Sequence, residues 1–265
     1  MGERFSSIQV AVGLQVVHAC AWFRHLNGRV AAMQAAGLPV VSVDCKKEEL
    51  VGNFANGGRE WRPKGSPTQV PGHDFALPGE GKAAPYGACD VAANDGWVSV
   101  GVSADTAQFA DSSLQTWWDQ MGKARYEGSP RLLVCCDGGG SNSSRSRLWK
   151  LELQRFCDRN SMEVEVCHLP PGTSKWNKVE HRLFAQISKN WRGRPLESLE
   201  VIVSLIESTT TRSGLEVRCA VDGREYERGI RVGDDEMCSI DIVRDDFHGE
   251  WNYVIRPRPQ LGLTE

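Results

Sequence analysis

No stretch of the 265-residue chain approaches the roughly 20 consecutive apolar residues that span a bilayer. The most apolar early segment, Ile8 to Trp22, is interrupted by Gln15 and His18. It has neither a basic approach nor a clean small-residue cleavage site, so it reads as neither a membrane anchor nor a secretory leader. CxxC spacing is also missing. The nine cysteines are odd in number and fall mostly inside apolar runs, Cys135 and Cys136 after Leu132-Leu133-Val134 and Cys167 after Val164 and Val166. That placement predicts buried free thiols in an intracellular protein and argues against a disulfide framework. Cys167-His168 has no partners at zinc-ligand spacing. Net charge is nearly absent, 31 basic against 34 acidic residues, and this total by itself does not point to a polyanionic partner. With 40% apolar and 25% charged residues, the chain is neither disordered nor fibrous, and it is long enough for one large domain or two small ones.

What is present is segregated. Between Lys175 and Arg194 stand six basic residues and one acid, Glu180, whereas Asp222 to Glu250 holds ten acids and four arginines. A basic face for phosphates and an acidic tail elsewhere would produce this pattern, and so would two solvated surfaces.

The order of elements predicts a mixed α/β sheet flanked by helices. A helical pattern over 22–36 stops at Gly37 and Pro39. Val40 to Cys45 reads as a buried strand. Eleven glycines and prolines between Ala55 and Pro85 predict a long irregular excursion that either clamps a ligand or is simply solvated. Tyr86–Ala92 and Trp97–Val102 form a hairpin around Asp95-Gly96. Leu114, Trp117, Trp118 and Met121 follow helical spacing with Asp105 or Thr106 as cap, a core pattern for both tryptophans. Then come strand Arg131–Cys136, helix Ser143–Asn160, strand Met162–Cys167, a helix from Ser174 to Trp191 and another from Leu196 to Ser208. The remainder, 213–265, reads as a small β-rich appendage.

Chemistry concentrates at three acids. On a helical wheel of about 100° per residue, Trp176, Val179, Leu183, Phe184, Ile187 and Trp191 share one arc, and Glu180 lies within it. Lys175, Lys178, Arg182 and Lys189 fall opposite. A carboxylate aimed at a core must be paired with a cation or ligated, and both readings stand on pattern alone. Asp137 follows an apolar strand and precedes Gly138-Gly139-Gly140, where backbone can approach a ligand closely. Asp44 shares a strand face with Val40 and Ser42. Three acids converging from two strands and a helix would repel, and divalent cations compensate such a set. Oxygen-only ligands favour Mg²⁺ or Mn²⁺.

The segments Val41-Ser42-Val43-Asp44-Cys45-Lys46-Lys47, Gly52 to Trp61, Asp137-Gly138-Gly139-Gly140-Ser141-Asn142 and Pro170 to Phe184 carry a further signal. Together with Thr209-Thr210-Thr211 and Phe247 to Tyr253, they closely resemble the DDE transposases of bacterial insertion sequences of the ISAzo or Rhodopirellula type. The resemblance runs from about Phe23 to Pro257. It implies a ribonuclease H-like domain over 37–212 whose catalytic and metal-binding triad is Asp44, Asp137 and Glu180, with two Mg²⁺ or Mn²⁺ ions as cofactors. It further implies transposon-end and target DNA as partners, with Lys175, Lys178 and Arg182 as phosphate contacts. A homo-oligomer when active and a cytoplasmic, nucleoid-associated location, with no membrane association, follow from the same likeness. Such enzymes nick the element end and then join its 3′-hydroxyl to target DNA.

Two departures shape the expectations. About 40 residues precede Asp44, so 1–36 reads as an N-terminal helical remnant without the helix-turn-helix that recognises inverted repeats. Cys45 stands where threonine is expected. The alternative to an active enzyme is therefore a truncated, inactive DNA-binding or assembly remnant.

Overall fold

Val40-Val41-Ser42-Val43 lacks the apolar–polar alternation of a half-exposed strand, and β1 (Val40–Cys45) indeed has both faces covered. In the computed structural model, which describes residues 20–71, 81–170 and 172–259, β1 lies inside a nine-stranded mixed sheet. The other strands are β2 (Glu49–Leu50), β3 (Lys82–Asp90), β4 (Asp95–Gly101), β5 (Arg131–Cys136), β6 (Glu163–His168), β7 (Glu216–Asp222), β8 (Ile242–Arg244) and β9 (Asn252–Ile255). Their order is β7-β4-β3-β1-β5-β6-β9-β8, with β2 attached to β3. β1 runs parallel to β5 and antiparallel to β3, and β5 runs parallel to β6. This is the expected mixed α/β sheet flanked by helices.

One face is closed by α2 (Ala107–Trp117), its continuation through a π-turn (Trp118–Gly122) into α3 (Lys123–Arg125), and α4 (Arg147–Asn160). Trp117, Trp118, Trp149 and Phe156 pack there against Val41, Val43 and Cys136, so both tryptophans of the pair are core residues as their spacing indicated. The opposite face is covered in two parts. The helix over 20–35, α1, packs on Val40, Leu133 and Cys135. The helix over 178–190, whose last part is α5 (Ala185–Asn190), and α6 (Leu199–Glu207) pack on β3, β4 and β7. A short α7 (Asp234–Cys238) precedes β8. Among the described residues no helix is long and apolar enough to cross a membrane.

Local chemistry sets several boundaries. Thr106 caps α2 and Ser198 caps α6 through their hydroxyls. α4 begins at Arg147, later than Ser143, because Gly140–Asn142 forms a 3-10 turn and Ser146 takes the cap. Strands from 213–265 join the central sheet: β7 extends the β4 edge and β9 extends the β6 edge. Of the expected N-terminal helical segment, residues 1–19 lie outside the described residues, as do 72–80 of the long excursion.

The largest local difference is the helix expected from Ser174 to Trp191. Ser174–Trp176 is one 3-10 turn, Asn177 is extended, and the helix proper begins at residue 178. Trp176, expected on the inward arc, is 56% exposed. Its separation from the helix by Asn177 removes it from the wheel on which that arc was drawn.

Candidate active site

Asp44 and Asp137 are brought together by strand register. Val43 on β1 is paired with Cys136 on β5 in parallel, so Asp44, still paired with Gly87 of β3, and Asp137, one residue past β5, follow side by side. Side-chain alternation puts Val41, Val43 and Cys136 toward α2 and α4, which sends Asp44 and Asp137 toward the other face. That face carries the helix with Glu180. The sheet register thus explains why acids 93 positions apart in sequence are neighbours.

Glu180 is delivered by a clamp that motif reading did not single out. The Ser42 hydroxyl donates to Asn177 Oδ1, and Val179 N–H donates to Ser42 Oγ at 2.9 Å. Asn177 Nδ2 donates to Val43 O at 3.0 Å and reaches Asp44 Oδ2 at 3.4 Å. Asn177 and Ser42 are both buried, so their hydrogen-bonding groups are committed to each other and to the backbone. The clamp fixes the first turn of the Glu180 helix on β1 and holds Asp44 in the same network. A π-turn over Glu180–Phe184 follows, and Leu183 and Phe184 are buried against Gly87. A Cβ on Gly87 would stand 2.7 Å from the Phe184 ring, so glycine in β3 is what lets this helix sit close.

The acids disturb one another. Burial, and then the charge of Asp137, pushes the Asp44 carboxyl up to about 7 against the relief given by the Cys45 N–H and Asn177; Glu180 adds to the rise. Burial also raises Asp137, which the Gly139 N–H opposes. Burial raises Glu180, Lys46 and His181 oppose it, and Asp137 adds to it. This is negative charge that Lys46 and His181 offset only at Glu180, with hard oxygen donors, and that chemistry fits a divalent cation. Among the described residues, no three acidic, histidine or cysteine side chains are arranged to enclose a metal ion.

Behind Asp137 the site is braced from the late part of the chain. His168 Nδ1 lies 2.8 Å from Asp137 O; a carbonyl only accepts, so Nδ1 carries the proton. Burial holds this imidazole down to about 4, which keeps it neutral. Trp22 Nε1 donates to His168 O at 2.8 Å, and the Trp22 ring stacks on His248 at 4.4 Å. Trp251 packs tightly against Gly138, where a Cβ would fall 2.2 Å from its ring. The Phe247–Tyr253 segment thus acts as the backing of the Asp137 loop. In front, a groove of about 500 Å³ runs from Asp137 past Ser143, Arg145 and Ser174 to Trp251.

The expected phosphate contacts are surface residues at the same helix. Lys175 and Lys178 are exposed, and Lys175 Nζ sits 5.7 Å from the Trp176 ring centre. Arg182 is exposed as well, but it donates to Val91 O at 2.7 Å and ties the helix to the β3–β4 turn. Cys167, the weak zinc candidate, is a buried free thiol.

The family model described as the Rhodopirellula transposase DDE domain matches residues 12–257. No curated protein matches the sequence. Among solved structures, the Mos1 transposase paired-end complex with left transposon end is similar at 15% identity and a TM-score of 0.41. The Mos1 mariner paired-end complex with Mn is similar at 15% identity and a TM-score of 0.37. Each match covers 62% of this chain and 45% of the Mos1 chain, so this chain corresponds to less than half of that protein. The family match extends over nearly the whole sequence and takes in both aspartates, the Asn177 clamp, Glu180 and the Trp251 backing: the chain belongs to the Rhodopirellula transposase DDE-domain family.

Proposed function

We propose that this protein cuts and joins DNA at insertion-sequence ends, with Asp44, Asp137 and Glu180 holding two Mg²⁺ or Mn²⁺ ions. The observation that supports it most is the convergence of three carboxylates delivered by β1, the end of β5 and the clamped helix, where the Asp137 charge raises both Asp44 and Glu180. Bound divalent ions would relieve that repulsion and supply the Lewis acidity that in-line phosphodiester displacement needs.

The protein's own share is positional. The β1–β5 register and the Asn177–Ser42 clamp hold the acids in place, and His168 and Trp251 brace the Asp137 loop. The groove beside Asp137 offers glycine backbone, Ser143, Ser174 and Arg145 to a phosphodiester strand. Lys175 and Lys178 add phosphate contacts at the mouth, with Arg182 contributing whatever its tether leaves free. Two copies would hold two DNA ends.

The test is Mg²⁺- or Mn²⁺-dependent nicking and strand transfer on DNA bearing the element ends. Asp137→Ala and Glu180→Gln should each abolish both reactions while DNA binding persists. Unchanged cleavage in either variant would sink the assignment. A wild-type protein that binds DNA salt-dependently and never cuts it would instead select the inactive-remnant reading.

A further inference from the structure

A large aromatic side chain normally buries most of its surface, yet Trp61 is 99% exposed. It does not hang from a loose strand. Asn56 Nδ2 donates to Trp191 O at 3.1 Å, Gly193 N–H donates to Gly57 O at 3.0 Å, and Glu60 is paired with both Arg62 (2.8 Å) and Arg194 (3.1 Å). Gly193, at φ +74°, lies so close to the Arg59 backbone that a Cβ would fall 2.7 Å away. Residues 56–62 are therefore fastened to the end of the helix over 178–190 that carries Glu180.

The surroundings of the indole indicate what it meets. Arg59, Arg62, Lys64, Arg192 and Arg194 are exposed along the arm and the helix end it grips, with Glu60 as the acid among them. An aromatic anchor for a protein partner would be expected to have apolar neighbours; this one sits on an arm whose exposed side chains are mostly cations. Flat apolar faces strung on a polyanion are the matching chemistry, as at the aromatic platforms that bind single strands. Position agrees. Lys46 lies 4.7 Å from the Trp191 ring centre and also acts on Glu180, linking the arm to the acids. At about 1.5 Å per helical residue, Trp191 stands roughly 16 Å along the helix from Glu180, a span of about five base steps.

We propose that the arm over 56–64 is a DNA-binding element: Trp61 stacks on an unpaired or unstacked base while Arg59, Arg62 and Lys64 hold the adjacent phosphates. That the base belongs to a cut element end rests on the proposed strand-transfer function; the stacking contact does not.

The experiment measures equilibrium binding in EDTA, so no cleavage enters. A labelled duplex with a short single-stranded 3′ overhang carrying 2-aminopurine is titrated with the full chain, with anisotropy and base fluorescence as readouts. Trp61→Ala should weaken binding about 5- to 100-fold and remove the 2-aminopurine quenching, while Trp61→Phe restores most of both. The double variant Arg59→Ala/Arg62→Ala should lower the slope of log affinity against log salt by about 1.4–1.8. Unfolding midpoints should match wild type, since Trp61 contributes no buried surface. Wild-type affinity and quenching in Trp61→Ala would overturn the proposal, as would a loss of affinity that tracks a loss of self-association in sedimentation. A protein that binds through Trp61 but never nicks DNA with Mg²⁺ would refute the strand-transfer reading and leave this one standing.

Discussion

Replacing Asp44 by asparagine should make the metal-free protein more stable. The Asp44 carboxyl is pushed from an ordinary value of 3.8 up to about 7, by burial first and by the Asp137 charge next. For an acid the sign is clear: the fold favours the protonated form, so the contribution of Asp44 to stability is fully present below about pH 4 and is lost as pH rises through about 7. Three pH units correspond to about 4 kcal/mol, all of it opposing the fold above neutrality. Asparagine keeps an acceptor for the Cys45 N–H but removes the charge, and relaxation of the site would reduce the gain to about 2 kcal/mol. For a chain of this size that raises the unfolding midpoint by roughly 4–8 °C. Thermal and urea unfolding at pH 5 and pH 8, in EDTA, would measure it. The difference between Asp44→Asn and wild type at pH 5 should be less than half of that at pH 8, because most of the penalty builds up between pH 5 and about 7. Millimolar Mg²⁺ should then stabilise wild type more than the variant, because a ligand that binds only the folded state adds to its stability. If Asp44→Asn is no more stable than wild type at pH 8, the electrostatic account of the site is wrong.

Asn177→Ala should cost about 2–4 kcal/mol, since it leaves the Ser42 hydroxyl and the Val43 carbonyl without their partner in a buried place. DNA cleavage should fall with it even at temperatures where the variant remains folded, as read from activity against circular dichroism. Gly138→Ala should destabilise by about 1–3 kcal/mol because its Cβ meets the Trp251 ring. Adding Trp251→Leu should recover part of that loss in a double-mutant unfolding cycle.

The two aspartates were legible in the sequence because each terminates an apolar run, and parallel neighbours in a sheet emit their ends on the same side. The inward arc of Val179, Leu183, Phe184, Ile187 and Trp191 was legible for the same periodic reason. Trp176 was not, because the wheel assumes an unbroken helix and the buried Asn177 breaks it. The clamp was hidden for a related cause: asparagine and serine are ordinary turn and surface residues by type, and only the 135-residue contact between Ser42 and Asn177 gives them their role. His168 reads in the sequence only as half of a zinc pair without partners, and its link to the Asp137 carbonyl lies across strands that local spacing does not relate. The tail showed its strands by pattern; which edge each would join depends on partners more than a hundred residues earlier.

That both edges are finished by the tail has a consequence for biogenesis. A ribosome delivers Asp44, Asp137 and Glu180 well before β7, β8 and β9. During that interval β4 and β6 present bare hydrogen-bonding margins, and Gly138 lacks the indole that backs it. The framework that holds the three acids is therefore completed only once these late strands have been made, and a chain interrupted before them exposes a sticky sheet edge and an Asp137 loop without its backing.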